Sequence, residues 1–147
     1  MNTVILAIGT DHRGYALKEQ LIAIRTVGSF AITWADVGCN SAERTDYPPY
    51  ADAVVQEMMS HRARFGILLC GTGHGMAIAA NRHKKIYAAV VWHESMAVSA
   101  KQDDNANILV FPADSMTVEK VVACITAWLN SAFKGGRYAE RLAMIDK

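Results

Sequence analysis

Several protein classes are excluded by what this chain has little of. Cysteine is scarce: Cys39, Cys70 and Cys124 are the only three in 147 residues, odd in number and with no CxxC pair. A disulfide framework and a cysteine zinc site are therefore not indicated, and a reducing, cytoplasmic setting is expected. Neither sign of charge is in excess, with 15 Lys and Arg against 14 Asp and Glu. Such a balance gives no electrostatic footprint for nucleic acid or for a membrane surface. No apolar run approaches the ~18 residues of a spanning helix. The opening "MNTVILAIGTD" has no basic region, and its apolar run is too short for a signal peptide. Repeats, low-complexity tracts and linkers are also missing, so residues 1–147 are expected to form one domain.

What is present is an alternation of two patterns. Short apolar runs bounded by turn residues suit strands buried on both faces. They are "VILAIG", "AITWADVG", "FGILLC", "YAAVVW" and "NILVFP". Between them lie stretches of helical period: Leu17, Leu21 and Ile24; then Ala51, Val54, Val55, Met58 and Met59. Helices are also expected around Met76 and from Ser95 to Lys101. The strongest stripe is Val118, Val121, Val122, Ile125, Trp128 and Leu129, with Thr117 placed as its cap. "GGRYAERLAMIDK" reads as a short terminal helix. The pattern predicts an α/β fold: a single-domain Rossmann-like α/β/α sandwich with a five-stranded parallel sheet. Ligands in such folds bind beyond the carboxyl ends of the strands. Asp11 and His12 follow the first strand and Cys70 ends the third. Asp103 and Asp104 precede the fifth, on the opposite side.

The segment after Cys70 is a glycine turn, with Gly71, Gly73 and Gly75 at alternate positions. A nucleotide-triphosphate loop needs Lys followed by Ser or Thr after its last glycine, and Met76 and Ala77 stand there instead. A dinucleotide fingerprint needs a glycine where Met76 is. What survives is more general. A glycine turn opening a helix presents several backbone N–H groups, which favour negative charge. They would stabilise a thiolate at Cys70 and an oxyanion formed on a substrate. Thr72 is placed to hydrogen-bond the sulfur or a substrate oxygen. A base beside an oxyanion hole is what proton abstraction next to a carbonyl requires. A cysteine ending a strand is equally an ordinary small core residue. Cys124 falls within a helix stripe and reads as core.

Several segments in order carry a likeness: "GTDHRGYALK", "SAERTDYPPYA", "GILLCGTGHGMAIAANR", "NANIL" and "FKGGRYAERLAMI". The chain resembles the family of ribose-5-phosphate isomerase B and the galactose-6-phosphate isomerase subunits. The resemblance implies aldose–ketose isomerisation of a phosphorylated sugar through a cis-enediolate, with no metal and no organic cofactor. It implies that Cys70 is the base moving a proton between C1 and C2, assisted by Thr72. Gly71, Gly73 and Gly75 would form the anion-binding turn, Asp11 would hold sugar hydroxyls, and Tyr47 would line the pocket. His12, Arg137 and Arg141 would bind phosphate. It further implies a homodimer or homotetramer with shared active sites, which would bring Asp103 into a neighbour's site. Arg137 and Arg141 are four apart, on one helix face, and so able to meet one phosphate. Asp11 alone reads equally well as a helix cap.

Departures from the family pattern bear on the substrate. Asp103 stands where a ring-opening histidine is expected, and Asp104 replaces an asparagine of the same segment. Asp114 falls near a phosphate-binding arginine position. Arg13 stands where a small residue is common, and His74 where Ile, Val or Asn is usual. Either Arg13 supplies the charge lost at Asp114, or Asp114 points to solvent. An ordinary aspartate is a poor proton donor at neutral pH. Tetrose 4-phosphates, which need no ring opening, are therefore candidate substrates beside the family default, ribose 5-phosphate. One subunit of a hetero-oligomeric isomerase and a non-catalytic sugar-phosphate binder are the alternative readings.

Overall fold

Hydrophobic residues at alternating positions in the central strands point to opposite faces of one sheet, and a different set of helices covers each face. In a computed structural model spanning residues 1–147, the elements follow in the order β1 (Asn2–Thr10), α1 (Tyr15–Ile22), β2 (Thr26–Val27), β3 (Phe30–Asp36), α2 (Pro48–Met59) and β4 (Phe65–Cys70). Then come α3 (His74–Ala80), β5 (Ala88–Val90), α4 (Glu94–Asp104), β6 (Ile108–Pro112), α5 (Val118–Leu129) and α6 (Arg137–Ile145). Short 3-10 turns lie at His12–Gly14 and Ala113–Ser115.

The sheet has six strands in the order β2-β3-β1-β4-β6-β5. The five expected strands are all present and parallel, and the expected count falls short by one. The addition is β2, which pairs antiparallel with β3 at the sheet edge. Two residues are too few to show a period of two.

Alternation along the strands divides the core. Leu6, Ile8, Ile67, Leu69, Leu109 and Phe111 pack with Leu17, Leu21, Val121, Ile125 and Trp128, so α1, α4 and α5 cover that face. Ala7, Leu68, Cys70, Ile108 and Val110 pack with Ala51, Val54, Val55, Met76 and Ala80 of α2 and α3. Each fully buried Leu, Ile or Phe stabilises by about 1.5–3 kcal/mol. Trp128 is fully buried and its indole N–H donates to the Ala106 carbonyl at 3.0 Å. The Thr117 hydroxyl caps α5, accepting from the Lys120 amide at 3.3 Å. Cys124 sits in the core as its stripe position requires, and burial pushes its thiol up to about 11. His93 caps α4 and His83 pairs with Asp52, both structural roles. At the end of the chain, Asp146 accepts from the Tyr87 hydroxyl and the Lys85 amide, tying α6 to the start of β5. Burial, and then the Asp146 carboxylate, push the Tyr87 hydroxyl up to about 12.

Candidate active site

The chain runs from β1 outward to β3, then returns to place β4 on the other side of β1. The gap between β1 and β4 is thus a topological switch point, where parallel sheets leave a crevice at their carboxyl ends. Register sets Thr10 beside Leu69 and Cys70 beside Pro112. Asp11 and Cys70 therefore emerge next to each other, from adjacent strands.

Cys70 is 5% exposed, and its Sγ accepts a hydrogen bond from the Gly73 amide at 3.2 Å. That bond needs the turn to double back. Gly73 does this at φ +83, a left-handed conformation in which a side chain is strained, and it begins α3. Thr72 is exposed, and its hydroxyl accepts from the His74 amide at 3.4 Å rather than meeting the sulfur. His74 is exposed beside it.

Around the sulfur, β1 supplies a second group of residues. Asp11 is buried, and its Oδ1 accepts from the Arg13 amide at 3.0 Å, so it does cap the following turn. Its other oxygen is free of that bond. His12 Nδ1 accepts from the Thr45 amide at 3.2 Å, which leaves Nε2 to carry the ring proton. The Thr45 hydroxyl is buried without a partner. Arg13 reaches across Gly71, where any Cβ would run into its guanidinium, and forms an ion pair with Asp114. The Asp114 amide also donates to the Gly71 carbonyl at 3.1 Å. The reading of Asp114 as a solvated bystander is thus corrected: its side chain is half exposed, but it is engaged by Arg13. The Tyr47 ring lies against Gly75.

Asp103, Asp104, Arg137 and Arg141 are not part of this cluster. Asp103 and Asp104 end α4 and precede β6, whose far end lies beside Cys70. The length of that strand, ~17 Å, separates them from the sulfur. There Asp103 accepts from Lys134 Nζ at 3.0 Å. The Arg137 and Arg141 guanidinium carbons lie 5.3 and 5.4 Å from the Tyr138 ring centroid, and the two side chains share that tyrosine. Nine of the thirteen expected site residues share the sulfur's pole of the sheet; the remaining four, Asp103, Asp104, Arg137 and Arg141, share the other.

The family sequence pattern described as Ribose/Galactose Isomerase matches residues 6–145. The chain belongs to that family. At this level it is a sugar-phosphate isomerase, an enzyme of the aldose–ketose class. Ribose-5-phosphate isomerase B of Escherichia coli is 35% identical over 140 residues, covering 95% of this chain and 93% of that one. The crystal structure of a Thermotoga maritima ribose 5-phosphate isomerase superposes with TM-score 0.90 at 42% identity, covering 97% of both chains. A Mycoplasma genitalium ribose-5-phosphate isomerase B, solved with bound ribulose-5-phosphate, gives TM-score 0.86 at 33% identity, over 99% of this chain and 95% of that one.

The family likeness drew attention to "GTDHRGYALK" but assigned nothing to its last residue. Lys18 is 1% exposed, and its Nζ donates to Asp36 Oδ2 at 2.9 Å and to the Cys39 carbonyl at 2.6 Å. Burial opposes its charge, but the hydrogen bond and attraction of Asp36, helped by Glu19, outweigh it and raise its pKa. Lys18 thereby fastens the loop after β3 under the Asp11 turn, where the Cys39 amide donates to the Thr10 carbonyl at 3.1 Å. The available signal was its position, three residues before Leu21 on the buried face of α1. Cys39 itself is buried, and burial raises its pKa.

Proposed function

We propose that the chain interconverts an aldose phosphate and a ketose phosphate by moving one proton between C1 and C2, with Cys70 as the base. The observation that carries this is the Cys70 sulfur, buried at the switch point and accepting the Gly73 amide. An N–H directed at sulfur stabilises the thiolate. In the aldose direction the thiolate takes the C2 proton, and the C2–H electron pair forms the enediolate double bond while the C1 carbonyl oxygen becomes an oxyanion. Backbone N–H groups of the turn favour that oxyanion. The proton on O2 is transferred to O1, with Thr72 beside the path. The thiol then returns its proton to C1, and the ketose results. No proton or electron is gained or lost overall.

Asp11 suits the sugar hydroxyls through its free oxygen. His12 Nε2–H, the unpartnered Thr45 hydroxyl and the Arg13 guanidinium suit the phosphate from this chain's side. Arg137, Arg141 and Asp103, at the opposite pole, serve the site of a second copy, so that the working unit is a homodimer or a larger assembly. The reading is cytoplasmic, in line with three cysteines that are free and buried.

Ribose 5-phosphate is the default substrate. One observation favours a shorter sugar. Asp103 accepts a hydrogen bond from the Lys134 ammonium at 3.0 Å, so one of its oxygens is already engaged by a cation rather than free for a ring oxygen. A tetrose 4-phosphate cannot close a five-membered hemiacetal and needs no ring opening. The test is a panel of four-, five- and six-carbon sugar phosphates run in D2O and followed by NMR. Deuterium entering at C1 or C2 and abolished by Cys70→Ala supports the mechanism. A Cys70→Ala variant with near-normal exchange would end it. Catalytic efficiency on erythrose 4-phosphate against ribose 5-phosphate decides the sugar length. A preference for ribose 5-phosphate that Asp103→His does not improve removes the tetrose reading.

A further inference from the structure

At the pole of the sheet away from Cys70 there is a cavity of about 610 Å³ that the isomerase reading does not use. It is lined by Arg64, Phe65 and Lys101, with Asn105, Ser131 and Phe133 among the others, and by no carboxylate. Phe65 opens β4 and Cys70 closes it, so the whole strand separates the cavity from the sulfur. None of Asp103, Arg137 and Arg141 lines it.

Lys101 is the unusual member. It is 9% exposed, on the buried face of α4 that also carries Ala97 and Ala100. Its Nζ stands 3.9 Å from the Phe65 ring centroid and 4.9 Å from that of Trp128. No carboxylate pairs with it, and no hydrogen bond holds it. Cation–π contact does not replace the water removed from an ammonium group. A second cation makes matters worse: the Arg64 guanidinium carbon is 5.2 Å from the same Phe65 ring. Burial, and then repulsion from Arg64, push Lys101 down to about 8. The carbonyl ends of α4 and α5 face this region and offset only part of that cost. Two cations with no counter-charge, one of them buried and facing a polar-rimmed cavity with aromatic walls, form a receptor for negative charge.

We propose that this cavity is a second ligand site, in which Lys101 and Arg64 hold the phosphate or carboxylate of a small organic anion whose apolar part rests on Phe65 and Phe133. The Asn105 side-chain amide, at a left-handed α4 terminus (φ +49), is a third donor at the rim, its backbone N–H being taken by the Lys101 carbonyl at 3.1 Å. Ser131 is occupied, since its hydroxyl donates to the Ala127 carbonyl at 2.8 Å. An anion bound here gives Lys101 the counter-charge it lacks and must raise its proton affinity.

The experiment is a pH titration of the full chain with lysine labelled at 13Cε, run alone, with inorganic phosphate, and with benzoate. The Lys101 signal is the one lost in Lys101→Met. Inorganic phosphate or benzoate is expected to raise its titration midpoint by about one pH unit. Arg64→Ala should weaken that response at least tenfold, whereas His12→Ala, at the other pole, should leave it intact. A response to benzoate alone marks a carboxylate ligand, and a response to phosphate alone marks a phosphorylated one. If Lys101→Met fails to fold, Arg64→Ala still decides. A midpoint unmoved by both anions, or moved equally in Arg64→Ala, overturns the proposal.

Discussion

Lys18 and Lys101 are both buried, one at each pole of the same sheet, and their environments push them in opposite directions. Lys18 lies under the site, clamped by Asp36 and the Cys39 carbonyl, and its pKa is raised. Lys101 faces two aromatic rings and an arginine, and is pushed down to about 8. Burial is common to both, so burial alone does not set the outcome; the presence or absence of a carboxylate does. At the carboxyl pole the cations Lys18 and Arg13 each have a carboxylate partner: Lys18 with Asp36, Arg13 with Asp114. At the amino pole, Lys101 and Arg64 have none. The first arrangement fixes a site in shape before substrate arrives, and the second leaves charge waiting for something else.

The sharpest division between the poles is chemical. Cys70→Ala should lower turnover about 10³-fold or more while the chain still binds sugar phosphate, as steady-state rates and direct titration would report. Arg141→Ala damages the other half of the proposed shared site and should lower activity by a similar order. Mixing the two inactive variants and allowing subunits to exchange should return about a quarter of the native activity, because half of randomly formed dimers carry one intact site of two. No recovery on mixing would mean that each chain works alone, and the two poles would then have separate tasks.

Stability separates the lysines next. Lys18→Met leaves Asp36 and the Cys39 carbonyl without their partner and should cost about 3 kcal/mol in denaturant unfolding at pH 7. A raised pKa means that the stability Lys18 supplies is present below its unfolded value, near 10.5, and is lost as pH climbs through the folded one. Lys101→Met should do the reverse and stabilise by about 2 kcal/mol at pH 7, since a buried cation without a counter-charge is removed. Lys101 is depressed from 10.5 to about 8, so the unfolded chain holds the extra proton between those values. The advantage of the variant should therefore shrink as pH rises from 8 to 10.5. A variant less stable than the native chain throughout that range would erase the contrast between the two lysines.

The smallest effect belongs to the surface pair. Arg13→Ala should change stability by less than about 1 kcal/mol, because both side chains are half exposed. It should raise KM several-fold if the guanidinium meets phosphate, with kcat little altered. Asp114→Asn should lower KM by freeing the same group. A KM indifferent to both changes would make the pair structural only.

The order of strands and helices was legible because the sequence keeps two periods apart. The strands between Phe65 and Cys70 and between Ile108 and Pro112 are apolar on both faces, while Val118–Leu129 keeps one stripe. The edge strand Thr26–Val27 was not legible, because two residues carry no period. Asp11, His12 and Cys70 could be placed together from strand ends, whereas Tyr47, which precedes α2, came only from the family resemblance. The Arg13–Asp114 pair could not, since it joins two turns 101 residues apart. Lys18 and Lys101 were hidden for one shared reason: a lysine on a helix is ordinarily solvated, and only the depth of the neighbouring strand shows otherwise.

Gly71 has a consequence for the order in which this surface can change. Its backbone angle is not left-handed, so alanine is conformationally permitted there. The obstacle is the Arg13 guanidinium occupying the space a methyl group would need. A lineage that acquires a side chain at position 71 while Arg13 is present displaces the arginine from Asp114. One that first shortens position 13 can then accept the change without penalty. The two positions are coupled, but weakly: the guanidinium is the far end of a flexible, half-exposed side chain, so a methyl group at 71 costs no more than the surface pair it displaces.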